Sequence, residues 1–138
     1  MIGVIDASVA LSWFLQDEQS SASDRLLSQV ADEGAIVPSL WRLEVANALQ
    51  MAVRRNRIDR AYRDATIQRA GRLPIEFDPE TDTYAWTRTL HLSERHNVTV
   101  YAAAYLELAL RRGVPLATRD QDLAKAAVES GVTVLPTN

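Results

Sequence analysis

Short apolar runs recur along this chain, and a longer stretch with helical periodicity follows nearly every one. Ile2 to Asp6, Ala35 to Pro38, Leu73 to Phe77, Val114 to Thr118 and Val132 to Leu135 have the length and content of buried strands. Strands that alternate with helices join in parallel, so the pattern predicts an α/β fold with a mostly parallel sheet covered on both faces. Ser8 is placed to cap a helix carrying Val9, Leu11, Trp13 and Phe14, a second helix covers residues 20–33 up to Gly34, and Ser39 can cap a long third one through Leu49. Further helices are predicted from Asp59 to Arg72, from Asp78-Pro79-Glu80 to about His96, from Thr99 to Gly113, and from Asp120 to Ser130. The 138 residues, 47% of them hydrophobic, suffice for one domain, 1–138, and no linker or repeat divides it.

Two of the runs end in acids. Asp6 closes the first and Asp120 follows the fourth, while Glu44 lies in the second turn of the third helix, just after another strand. Ligands of parallel sheets collect outside the carboxyl ends of the strands, so the three can converge there. Singly, each acid has an ordinary role as a cap, a turn residue or a solvated helix position. Jointly they repel one another, and a bound cation is the natural reason to gather them.

The segments that carry these acids are Ile5-Asp6-Ala7-Ser8, Leu43-Glu44-Val45-Ala46-Asn47-Ala48-Leu49 and Leu116-Ala117-Thr118-Arg119-Asp120. In order and spacing they resemble three motifs of the PIN-domain ribonucleases, especially the VapC-type toxins of bacterial toxin–antitoxin pairs, and the likeness spans nearly the whole chain. The resemblance implies a three-layer α/β/α fold, a homodimer, and a VapB-like antitoxin whose tail blocks the cleft. It further implies that Asp6, Glu44 and Asp120 hold Mg²⁺ or Mn²⁺ and cut the phosphodiester backbone of RNA. Such cations take oxygen ligands and keep several waters, so a few carboxylates suffice. Asp122 is a weaker candidate ligand, since an acid also suits the first turn of a helix. Ser8 and Thr118 can hydrogen-bond a phosphate or a water, and Asn47, one turn from Glu44, can orient that carboxylate.

One position departs from the pattern. The segment Tyr101-Ala102-Ala103-Ala104-Tyr105 keeps the two tyrosines of the VapC-like frame, but Ala102 falls where a third metal-binding Asp belongs. Losing one carboxylate weakens divalent binding and cripples cleavage while leaving the fold intact. Of two origins, a naturally inactive member and a deliberate Asp replacement that lets a toxic nuclease be produced, the second accounts better for the intact frame.

Charge and composition narrow the alternatives. A net charge of −3 gives no global positive field, so any polyanion needs a local patch or a metal. Between residues 54 and 72, seven arginines face only Asp59 and Asp64, a local charge of +5. Arg54, Arg55, Arg57, Arg60 and Arg63 are therefore candidate RNA-binding residues, against the plainer reading of a solvated helix face. No cysteine occurs, which excludes disulfides and thiolate chemistry and fits a reducing cytoplasm. With no signal-peptide pattern and no apolar run of membrane length, a cytoplasmic location without a membrane partner is expected. His91 and His96, five residues apart, do not share a helix face and read as surface residues, whereas Trp13, Trp41 and Trp86 read as core or subunit contacts. Two rival readings remain at this point. One is a PIN-like binding module without cleavage; the other, a receiver-like signalling domain, lacks the lysine it needs at a strand end, the only one being Lys125 in the last helix.

Overall fold

Gly3 sets where the first strand begins. Its φ is +142°, and a Cβ there would lie 2.4 Å from the Pro115 carbonyl oxygen, so only glycine lets the two segments approach this closely. In the computed structural model, which describes residues 1–138, β1 is Val4–Ile5, shorter than the apolar run that predicts it. β2 (Ala35–Val37), β3 (Ile75–Phe77) and β4 (Leu116–Ala117) are comparably brief. All four pair in parallel in the order β3-β2-β1-β4. Val132 to Leu135 is not a full strand: it adds one parallel bridge, between Leu116 and Val134, at the sheet edge.

Helices flank this sheet in the three-layer arrangement expected of the chain. α1 (Ala7–Phe14), α2 (Ser21–Glu33), α3 (Trp41–Arg54) and α4 (Arg60–Ala70) pack on one another, and α1 is joined to α2 through a helical turn at Gln16–Glu18. α7 (Val100–Arg112) lies against β1 and β4, and α6 (Leu90–His96) and α8 (Gln121–Glu129) pack on α7. Val4, Ile5, Ile36, Val37 and Leu116 of the sheet are completely buried, as are Val9, Leu49, Leu106 and Leu108 of the helices. Each such side chain contributes about 1.5–3 kcal/mol by leaving water.

Four local expectations need correction. Ser8 does not cap α1; Asp6 does, its Oδ1 accepting from Val9 N at 3.1 Å. Ser39 does not cap α3: the helix starts one residue later, with Leu40 as N-cap and no side-chain bond, and Ser39 N–H donates to Thr81 Oγ1 at 3.0 Å. The helix predicted from Pro79 to His96 is broken into α5 (Thr81–Tyr84), a wide π turn over Ala85–Thr89, and α6. His96 is not a surface side chain: only 7% exposed, it sits 3.2 Å from Glu129 Oε2 and 3.2 Å from Ser130 Oγ. His91 is exposed as expected, and of the tryptophans Trp13 and Trp41 are in the core while Trp86 is 90% exposed.

A polar pin ties α5 to α7. Arg111 donates to both oxygens of Asp78, at 3.1 and 2.6 Å, to Glu107 at 3.0 Å and to Glu80 at 3.0 Å, and its guanidinium packs over the Tyr84 ring. The Asp78 and Glu107 side chains are 1% and 4% exposed, so Arg111 neutralises two desolvated charges. No helix is long and apolar enough to cross a membrane.

The strand order fixes where a ligand site belongs. The chain steps outward from β1 through β2 to β3, then returns to place β4 on the other side of β1. Loops leaving β1 and β4 therefore depart in opposite directions and open a crevice at the carboxyl ends of those two strands.

Candidate active site

Asp6 lies at that crevice, in the residue after β1, and is 5% exposed. Its Oδ1 accepts from Ser8 Oγ at 2.6 Å and from Val9 N, and its Oδ2 accepts a short hydrogen bond from Thr118 Oγ1. Each hydroxyl is also an acceptor: Ser8 Oγ receives Arg119 N–H at 2.9 Å, and Thr118 Oγ1 receives Asp120 N–H at 3.0 Å. The two hydroxyls thus stitch the end of β1 to the loop after β4. Burial pushes the Asp6 carboxyl above its usual range, opposed by the bonds from Ser8, Thr118 and Val9, and the charge of Asp120 pushes it further up.

That shift has a definite sign. A carboxyl raised in the folded state contributes stability below its unfolded value, and the contribution is lost as pH rises through the folded value. Asp6→Asn, which keeps a capping oxygen, is therefore expected to melt above wild type at pH 7 to 8 in a chelator, with the advantage gone near pH 4. Thermal melts across that range check it; a variant that melts lower at neutral pH would contradict the strain assigned to Asp6.

Asp120 is exposed, and its Oδ1 caps α8 by accepting from Asp122 N at 2.9 Å and Leu123 N at 3.2 Å. Glu44, half-buried on α3, accepts at Oε1 from the Tyr105 hydroxyl at 2.5 Å. Asp120 Oδ2 and Glu44 Oε2 have no protein donor. Tyr105 is 2% exposed, and burial, the bond to Glu44 and the charges of Glu44 and Asp6 hold its phenol far above the usual range, so it remains a proton donor. Ala102 stands one turn before Tyr105 on the same face of α7, half-buried, with its N–H given to Thr99 Oγ1 at 3.0 Å.

Hydrogen bonds thus join Asp6, Ser8, Thr118 and Asp120 in one group, while Glu44 is bonded to Tyr105, whose phenol feels the charge of Asp6. Asn47 is exposed and bonds to none of them; Tyr105 takes the orienting role expected of it. The sequence marks Tyr105 only as part of the frame around Ala102, because its bond to Glu44 joins residues 61 apart in the chain. Asp122 is exposed, and only its backbone N–H contacts the group. The donor set is oxygen alone, which fits a hard divalent cation. As the side chains stand, no three acidic or histidine groups close around one point.

The arginines divide. Arg54, Arg55 and Arg60 are exposed without carboxylate partners, whereas Arg63 donates to Gln50 Oε1 at 2.6 Å and to Asp64 at 3.0 Å. Arg57 is bound to Asp17 and Glu18.

Known proteins share this arrangement of the chain. The model of the PIN domain family matches residues 3–129. Ribonuclease VapC3 of Pyrobaculum aerophilum is 29% identical over 126 residues, covering 88% of this chain and 92% of that protein. Among solved structures, PAE2754 from Pyrobaculum aerophilum superposes with a TM-score of 0.70 at 22% identity, over 96% of this chain and 82% of that one. FitAcB from Neisseria gonorrhoeae gives a TM-score of 0.67 at 14% identity over 98% and 97% of the two chains. VapBC2 from Rickettsia felis, bound to a DNA fragment from its promoter, gives 0.68 at 9% identity over 97% of each. Likeness at these identities establishes the shared three-layer fold.

Proposed function

This chain belongs to the PIN domain family, and from that premise we propose that it is a VapC-like ribonuclease toxin whose Asp6, Glu44 and Asp120 hold Mg²⁺ or Mn²⁺. Ala102 impairs its cleavage. The observation that carries this reading is the carboxylate of Asp6, 5% exposed at the crevice between β1 and β4, its proton affinity raised by burial and, to a lesser degree, by the charge of Asp120. A divalent ion, when bound, supplies charge neutralisation at the phosphate and acidifies a water. The chain's own residues supply placement: Ser8 and Thr118 hold Asp6 from two sides, Tyr105 holds Glu44, and Asp120 keeps one oxygen free. Asp122 and Asn47 stand at the rim, and the exposed arginines Arg54, Arg55 and Arg60 offer contacts to the RNA backbone. The test is RNA cleavage by the Ala102→Asp protein with both metals and with a chelator.

A second reading, the binding module, is favoured by one specific observation. Position 102 of α7 carries no side-chain oxygen, so one ligand of the expected set is lacking while the fold around it is intact. Cleavage in the Ala102→Asp form separates the two.

A VapB-like antitoxin and a second copy of the chain are the proposed partners, in the cytoplasm, with residues 1–138 acting as one domain. Trp86, 90% exposed, and Leu90, 51% exposed, lie one helical turn apart and leave an apolar patch for a helix-mediated dimer. Sedimentation at micromolar concentration is expected to show a dimer that Trp86→Ala weakens; a monomeric wild type would refute that assembly.

A further inference from the structure

The turn Gln16–Glu18 carries two carboxylates that grip arginines on either side of it. Arg57 Nη2 donates to the Asp17 oxygens at 2.9 and 2.8 Å and to Glu18 Oε2 at 3.2 Å. On the opposite side of Glu18, Arg119 Nη1 donates to the backbone carbonyl at 2.7 Å and approaches Oε1 at 4.0 Å. One residue thus sits between two guanidiniums. Arg119 directly precedes Asp120, and its N–H is bonded to Ser8 Oγ, which donates to Asp6. The pair of guanidiniums is therefore anchored to the rim of the acidic site. Beside Arg57 opens a cavity of about 620 Å³ that reaches Leu15, Ile58, Asp59 and Tyr62.

These contacts do little for the fold. The Asp17 and Arg57 side chains are 69% and 40% exposed, and ion pairs so open to water add little stability. What they do is hold three carboxylate oxygens on Arg57 Nη2 and a backbone carbonyl oxygen on Arg119 Nη1, positions that the oxygens of a phosphodiester can take in their place. We propose that Arg57 and Arg119 form a track for the backbone phosphates of single-stranded RNA at the edge of the acidic site, and that Asp17 and Glu18 are an internal mimic of that backbone which the RNA displaces. The inference rests on the ribonuclease reading, since an RNA-cutting site is what gives the track its substrate. RNA is favoured over an acidic protein segment because Arg119 leads straight into the loop that holds Asp120. Binding is then a competition. The carboxylates act as resident counterions, which lowers both the affinity for RNA and its dependence on salt.

The test uses the full chain with Ala102 retained, a fluorescently labelled single-stranded RNA oligonucleotide, and anisotropy titrations over a range of salt. The Asp17→Asn, Glu18→Gln double variant is expected to bind about tenfold tighter. Its log K against log salt should be steeper by about 1.4, because two freed phosphate contacts each add roughly 0.7 for single strands. Adding Arg57→Gln and Arg119→Gln should abolish the gain. Asp32→Asn with Glu33→Gln, the same charge change at the exposed end of α2, should leave affinity nearly unchanged. Thermal melts verify folding of each variant. Unaltered or weaker binding by the double variant overturns the proposal, as does a gain that survives loss of both arginines or is matched by the α2 control. A gain seen for polyglutamate but not for RNA overturns it in favour of an acidic protein partner. If wild type binds RNA and the double variant binds no tighter, the track alone fails; if neither binds, the ribonuclease reading falls with it.

Discussion

Replacing Ala102 by Asp is expected to raise RNA cleavage in Mg²⁺ or Mn²⁺ by about a hundredfold or more over the chain as it stands, and to arrest bacterial growth on expression. Asp6, Glu44 and Asp120 are held by protein donors, but nothing on α7 supplies an oxygen at position 102. A cation missing one ligand sits loosely, and a misplacement of about 1 Å costs about a hundredfold in rate. The gain must disappear in a chelator. Ala102→Asn, which offers an oxygen of similar reach without the charge, should recover far less if charge is what the ion needs. An Asp form as inert as the Ala form on several RNAs with both metals would remove the main support for a nuclease, and the binding module would take its place.

The acids were legible because a strand-end carboxylate leaves two marks in a sequence: an apolar run that stops, and an Asp where it stops. Asp6 and Asp120 carry both marks and also cap the helices that follow, so the ordinary and the functional readings hold together at the same residues. Tyr105 carries neither mark. Its role arises only when the fold brings it to Glu44, 61 residues earlier in the chain. The parallel sheet was legible in the same way, from alternation. Its order was not, because apolar runs this short do not encode their neighbours; the place of β4 beside β1 is set by packing and by the close approach of Gly3 to Pro115. The cap expected of Ser8 failed because Asp6 took the position, and that of Ser39 because α3 starts one residue later, with Leu40 as its N-cap.

Arg111→Met is expected to cost about 3–5 kcal/mol, the penalty for leaving buried carboxylates without their partner. For a domain of this length that corresponds to a drop in melting temperature on the order of 10–20 °C. In the sequence only the spacing of Glu107 and Arg111 hints at a pair, and such helix-surface pairs are worth about 0.2–0.5 kcal/mol. Burial changes the scale, because Asp78 and Glu107 are 1% and 4% exposed and face one guanidinium. Burial alone would raise the Asp78 carboxyl, but the bonds from Arg111, Glu80 N and Thr81 prevail and hold it below the usual aspartate value of 3.8. A depressed carboxyl contributes stability above its unfolded value and loses it as pH falls through the folded one. The gap between wild type and Arg111→Met should therefore be widest near neutrality and narrow as pH falls, first because burial makes the stranded Asp78 take up its proton early in the variant, then because wild type loses its own contribution as pH drops through the depressed Asp78 value. This is opposite in sign to the pH dependence expected of Asp6. Adding Asp78→Asn and Glu107→Gln to Arg111→Met should recover most of the loss at pH 7, since the cost lies in stranded charge. A loss below about 1 kcal/mol would mean that water reaches the pair and that it behaves as a surface bridge. In that case apolar packing, rather than the Arg111 pin, would hold the start of α5 against the end of α7.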